Sequence, residues 1–173
     1  MMRMNAIVGV NSYLPDLIAG EEPELCVRLR QNGGKVWRLG EEMTLHDAAM
    51  TRFSQWWLRN VRAGYAYAEG AHLHGRPPER HFVQPLNRAV VWGLLLPVCV
   101  AAACAAVGPW ALALVLVYPL QVTRLFLGGS EAPRQRLLRA IFLVLGKFPE
   151  VQGALRYWRL RSLKRNGRLI EYK

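Results

Sequence analysis

From residue 89 to residue 123 the chain has no Asp, Glu, Lys, Arg or His. So long an uncharged run excludes an ordinary solvated surface there. It leaves a membrane, or a helical pair buried in a soluble core. Aspartate is scarce throughout: Asp16 and Asp47 are the only two, and no Asp-x-Asp pair occurs. Three cysteines supply no disulfide framework, and Cys26, Cys99 and Cys104 lack the spacing of a zinc site. The opening MMRMNAIVGVNSY lacks the apolar core expected of a secretory signal. Acidic charge is in deficit, with 12 Asp and Glu against 23 Lys and Arg, a formal net charge of +11 over 173 residues. Most of the excess flanks the uncharged run, where positive charge orients membrane helices. No nucleic-acid motif accompanies it, and no nucleic-acid partner is expected.

The uncharged run divides in two. AVVWGLLLPVCVAAACAAVG, residues 89–108, is about as long as a helix that spans the hydrocarbon core. PWALALVLVYPLQVTRLFLG, residues 109–128, has one charge, Arg124, near an end where the side chain can snorkel to the headgroups. Gly108-Pro109 is a turn signal between them. Trp92, Trp110 and Tyr118 suit interfacial belts. The spacing predicts a transmembrane helical hairpin over 89–128, with the lipid bilayer as its partner. Arg76, Arg80 and Arg88 precede it, and Arg124, Arg134, Arg136 and Arg139 follow. The positive-inside rule then predicts a multi-pass protein of the inner (plasma) membrane with both termini cytoplasmic. LLRAIFLVLGKF, residues 137–148, is too short and too charged to span easily, and reads as an interfacial or re-entrant segment ended by Pro149. Residues 129–173 as a whole make an interfacial segment and basic cytoplasmic tail. The tail's alternation of Leu and aromatics with Arg and Lys suits a helix on an anionic membrane surface, or a solvated basic tail.

Ahead of the hairpin, residues 1–88 mix charged and apolar groups as a soluble protein does. In LIAGEEPELCVRLRQNGGKVWRL, residues 17–39, Pro23 suits the first helical position and makes Glu22 the expected N-cap. Leu25 and Leu29 fall on one helical face, Gly33-Gly34 stops the helix, and KVWRL reads as a short strand. That helix-to-strand unit is typical of α/β domains. Glu21, Glu22 and Glu24 complement the helix dipole whatever the function, so a charged helix terminus and a chemical role both remain open. A helix is predicted over 49–68. In it Arg52, Gln55, Arg59 and Arg62 recur at spacings of three and four and share a face, while Phe53, Trp56, Trp57, Val61 and Tyr65 fill the rest. That face is either solvated or turned toward anionic groups, for which the arginine fork is suited. Trp56 or Trp57 either packs inward or stacks on a sugar ring. Asp47 suits a helix cap with His46 as a loop residue. His72, His74 and His81 lie in an Arg- and Pro-rich linker, 71–88, without ligand spacing.

Glu21-Glu22, a spacer Pro23, Glu24-Leu25 and then Arg28-Leu29 resemble the acceptor-side motif of family 2 glycosyltransferases, which are nucleotide-sugar-dependent enzymes of GT-A fold. In that motif the second acid of the pair is the catalytic base, usually Asp; here it is Glu22, with Glu21 beside it. An inverting transferase removes a proton from the acceptor hydroxyl as it attacks the anomeric carbon, and a positioned carboxylate can do this. Residues 1–20 resemble the strand and turn before that pair. FSQWWLRNVRAGYAYAEG resembles the helix that carries a Gln-Arg-x-Arg-Trp-like motif in polysaccharide-synthesising members, matched loosely by Gln55, Trp56, Arg59 and Arg62. GKFPEVQGALRYWRLR and LIEYK resemble tails of membrane-bound members.

The resemblance implies an α/β fragment over residues 1–70, the C-terminal, acceptor-side part of a GT-A domain. A linker, the hairpin and the basic amphipathic tail then follow. It implies a nucleotide-sugar donor and a glycan or lipid-linked acceptor as substrates of the complete enzyme, and a divalent metal, Mg²⁺ or Mn²⁺, as its cofactor. In some GT-A enzymes a histidine at the place of His46 is an extra metal ligand. With no Asp-x-Asp and no donor-binding half, the chain is expected to be inactive without a separate N-terminal half. The alternative is a non-catalytic membrane-anchored binding or assembly module.

Overall fold

The computed structural model of the protein describes residues 3–15, 17–37 and 50–163. The described residues form helices α1 (Met4–Gly9), α2 (Glu21–Gln31), α3 (Phe53–His74), α4 (Val83–Val107), α5 (Pro109–Leu127), α6 (Pro133–Leu145) and α7 (Lys147–Ser162). In α2, three glutamates occupy the first turn and Arg28 and Arg30 the last, which matches both ends of the helix dipole. α3 runs for 22 residues and stops at Gly75, because the Pro77-Pro78 pair beyond it cannot continue a helix. α6 opens on Pro133, whose missing N–H is one a first helical residue does not need.

The core lies where α3 crosses α7. Val61, Tyr65 and Ala68 of α3 pack on Ala154 and Tyr157 of α7, with Ile18 closing one side. The Tyr65 and Tyr157 rings meet edge to face, 5.3 Å between centroids. Two glycines let the backbones approach. A Cβ on Gly64 would run into the Glu150 carbonyl, and one on Gly153 into that of Val61. At the margin, Trp57 Nε1 donates to Gln152 Oε1 at 2.9 Å. Glu150 is 7% exposed beside this crossing and accepts from Lys147 Nζ at 2.6 Å. Burial pushes its carboxyl above the ordinary range, more than the lysine pulls it down.

α4 and α5 form the hairpin. A π-turn over Val91–Leu95 sits just ahead of Pro97, whose ring crowds the carbonyl of Gly93 four residues earlier; widening one turn relieves the clash. Gly108, at φ +99°, makes the turn. α5 is 3₁₀ over Pro109–Leu116 and α-helical over Val117–Leu127. Tyr118 Oη donates to the Trp92 carbonyl at 2.7 Å and ties the two helices together near their open end. Both helices are long and apolar enough to cross a membrane. Only 6% of the most apolar 18-residue window of α4 is buried within the protein, and none of that of α5. A pair at the centre of a soluble core would be mostly buried, so this exposure runs against that alternative.

The expected α/β fragment of GT-A type is not what forms: the described residues are helical and contain no strand. The N-terminal segment expected as strand and turn holds helix α1 instead. Lys35, Val36 and Trp37 of the expected strand KVWRL are irregular, and the rest of it lies outside the described residues. A strand needs a neighbour for its backbone hydrogen bonds. No second strand is present among the described residues to supply one, so β propensity goes unused. Three boundaries also differ. The N-cap of α2 is Gly20, not Glu22, and Pro23 is the third helical residue. The helix expected over 49–68 begins at Phe53 and runs on to His74. Pro149 does not end a segment; it is the third residue of α7, where a missing N–H costs nothing.

Candidate functional site

The chain enters α2 through Gly20 at φ +85°, a conformation that suits glycine. A Cβ there would touch Phe82 at 3.5 Å and Ala66 at 3.7 Å, so the start of α2 lies against α3 and the α3–α4 connection. The three glutamates that follow have different fates. Glu24 is 2% exposed. Its carboxylate accepts from Arg28 Nε at 2.7 and 2.9 Å, from Arg28 Nη2 at 2.8 Å, and from His74 Nε2 at 2.9 Å. An ionised carboxylate only accepts, so His74 carries its proton on Nε2 in this pair. The same guanidinium donates to the carbonyls of Val10 and Ser12. One arginine therefore joins the end of α1 to α2, and one glutamate joins α2 to the end of α3. Burial pushes the Glu24 carboxyl up, but the hydrogen bonds from Arg28 and His74 outweigh it and hold it below the ordinary range.

A second ion pair, Arg30–Glu79, ties the end of α2 to the α3–α4 connection, and the arginine's hydrogen bond holds Glu79 low. His81 lies beside it, its ring 6.4 Å from that of His74 and 3.9 Å from that of Phe82. Burial first, and then His74 and Arg30, hold its pKa below the ordinary histidine value. Its Nε2 is buried without a hydrogen bond among the described residues.

Glu21 and Glu22 are left on the open first turn. Glu21 is half-buried, Glu22 is exposed, and neither carboxylate has a hydrogen-bond or ion-pair partner among the described residues. The lock on Glu24 thus fixes the helix, while the acidic pair beside it makes no such contact among the described residues.

The four expected phosphate-binding residues of α3 have separate neighbours. Gln55 Oε1 accepts from the backbone N–H groups of Thr51 and Arg52, both at 3.1 Å, and so closes the start of the helix. Trp56 packs on Phe53 and, edge to face at 5.0 Å, on Phe142 of α6. Arg59 touches Met50 Sδ at 3.8 Å. Arg62 donates to the Ile18 carbonyl at 2.9 Å. His46, the expected metal ligand, lies outside the described residues. Among the described residues no three His, Cys, Asp or Glu side chains converge as a metal site would require.

No protein-family model, curated protein or solved structure matches this chain. The Glu24–His74 link went unread in the sequence. Its Glu24–Arg28 half was available from the i, i+4 spacing. His74 lies 50 residues away, and only the fold brings it in.

Proposed function

We propose that the chain is the membrane-borne, acceptor-side part of an inverting sugar transferase, acting with a donor-binding half. The observation that carries this reading is the contrast within one helical turn. Glu24 is buried and doubly paired, whereas Glu22 and its neighbour Glu21 are unpaired on a rigidly held helix start. A carboxylate so placed can take the proton from a sugar or lipid hydroxyl as the oxygen attacks, and the helix direction sets its aim. The helix start favours the negative side chain, while the anchoring by Arg28 and His74 holds it in place. The nucleotide-sugar and the metal on its diphosphate belong to the donor half in this reading.

The proposal places α4 and α5 across the inner membrane with both flanks in the cytoplasm. α3 precedes the hairpin and α7 follows it, yet the two pack together, which supports both flanks lying on one side. The concentration of arginine on those flanks supports the cytoplasmic side.

Transfer of labelled sugar from nucleotide-sugars into membrane glycan or lipid tests the reading, in native membranes where the chain is made with its natural partners. Glu22→Gln should lower incorporation by about the 10²–10⁴-fold of a lost general base, with the chain still inserted. Loss in Glu21→Gln alone would transfer the role to Glu21. Full incorporation in both variants would refute catalysis and leave a membrane-anchored assembly module with an acidic helix start, the reading that the absence of a sheet among the described residues favours.

A further inference from the structure

The open end of the hairpin carries a cavity that neither the acidic helix start nor the core uses. Its volume is about 510 Å³, within the range of small-molecule sites. Four elements bring a cation to it: Arg88 from α4, Arg124 from α5, Arg139 from α6 and Lys147 from α7, with Trp92 and Gln121 between them. Two of the four already have carboxylate partners. Arg139 Nε is 3.3 Å from Glu131, and Lys147 Nζ is 2.6 Å from Glu150. Arg88 and Arg124 have no carboxylate or hydrogen-bond partner among the described residues. The cavity is thus short of about two negative charges.

Its depth follows from helix geometry. Twenty residues of α4 separate Arg88 from Gly108, a rise of about 30 Å. From Gly108 to Arg124, α5 spends half its length in the more extended 3₁₀ form and rises about 28 Å. The two arginines therefore stand at one level, about one hydrocarbon thickness from the turn. With the turn at one face of the bilayer, both lie among the phosphates of the other. An arginine at that depth reaches the headgroups, and a lipid phosphate is the anion present at highest concentration there.

We propose that this cavity binds the headgroup of a phospholipid bearing two phosphodiester groups, of diphosphatidylglycerol type. One phosphate sits against Arg88 and the other against Arg124. Arg139 and Lys147, whose carboxylate partners do not line the cavity, widen the field. Such a lipid carries two charges on one molecule, matching the deficit, whereas a singly charged phospholipid matches half of it. The Trp92 indole supplies an amphipathic wall at the level where such side chains settle. The inference rests on the membrane reading of α4 and α5 but not on sugar transfer.

The test uses the full-length chain in detergent and then in vesicles. Diphosphatidylglycerol should raise the thermal midpoint at a lipid-phosphate concentration about tenfold lower than phosphatidylglycerol requires. In Arg88→Gln/Arg124→Gln that preference should vanish, while Arg134→Gln, outside the cavity, should keep it. If the double variant does not insert, Arg124→Gln alone carries the comparison, with a preference reduced by at least half. Equal effects of the two lipids at equal phosphate would reduce the cavity to a general basic surface and overturn the proposal. So would a preference that survives the substitutions. Protection of the detergent-solubilised chain by inorganic diphosphate at the same concentration would assign the cavity to a soluble anion instead. Failure of the chain to resist alkaline extraction from vesicles would bring down the membrane reading itself, an outcome distinct from insertion without lipid preference.

Discussion

Replace Gly153 by alanine, and the new methyl carbon would stand 2.7 Å from the Tyr65 amide nitrogen and 2.9 Å from the Val61 carbonyl carbon, with the Val61 oxygen nearer still. Ordinary contact begins at 3.4 Å. The obstacles are all backbone atoms of α3, so no rotamer change relieves them and the two helices must part by at least about 0.7 Å. A gap of that size forfeits a quarter to a half of the dispersion attraction across the contact. The loss falls on Val61, Tyr65, Ala68, Ala154 and Tyr157, the centre of the core. The cost should reach about 3 kcal/mol, the upper end for overpacked sites. For a chain of this size that is a fall of about 6–12 °C in thermal midpoint. The measurement is the midpoint in one fixed detergent, read by near-ultraviolet circular dichroism, which reports fixed aromatic packing, the Tyr65–Tyr157 pair included, rather than helix content. Gly9→Ala serves as control, since its methyl would meet only Asn32 at 3.8 Å and should shift stability by less than about 0.5 kcal/mol. Gly64→Ala should act on the same crossing, and the double variant should cost less than the sum of the two. An unchanged midpoint in Gly153→Ala would refute the close crossing of α3 and α7.

Three further outcomes test other parts of the structure. In a background without Cys26, Cys99 and Cys104, a cysteine at Trp110, beside the hairpin turn and 86% exposed, should react in intact cells with an impermeant thiol reagent, and one at Ser162 should not; the reverse pattern would invert the topology. Glu24→Gln should lower stability at neutral pH by about 2 kcal/mol through its weakened bonds to Arg28 and His74. Because the folded state holds the Glu24 carboxyl low, the advantage of the native chain over Glu24→Gln should be full above the ordinary carboxylate range of about 4 and shrink as pH falls below it; a difference constant across that range would refute the pairing. Arg28→Lys cannot reproduce the fork that serves Glu24, Val10 and Ser12 together, so protease cleavage near residues 10–12 should accelerate while the α3–α7 core keeps its midpoint.

The hairpin was legible because its signals are local. An uncharged run and a Gly-Pro pair place the turn at residue 108, and the fold puts it there. The start of α4 was less legible, since Gln84, Asn87 and Arg88 make its first turns look like linker although they are helical. KVWRL has the composition of a strand but no partner in reach, and composition does not report partners. The α3–α7 crossing was hidden for a related reason. Gly64 and Gly153 read singly as weak points in helices, and only their opposition gives them a purpose. The acidic helix start was legible as charge. That Glu24 would be locked and Glu22 left free depends on His74, which the sequence places far away. The basic cavity was in view as flanking positive charge; counting sign along a chain says nothing about convergence.

The crossing of α3 with α7 also sets a schedule for the protein's own synthesis. α3 leaves the ribosome long before α7, with the whole hairpin still to come. Its apolar stripe, from Trp57 through Val61 and Tyr65 to Ala68, lacks its main partner until residues 147–162 emerge. With α4 and α5 in a membrane, their insertion comes before completion of the α3–α7 core. A hairpin that stalled halfway, with α5 left outside the bilayer, would not merely misplace a loop. It would strand α7 away from α3, leave the stripe exposed to chaperones and proteases, and make membrane entry the checkpoint through which the α3–α7 core must pass before it can exist.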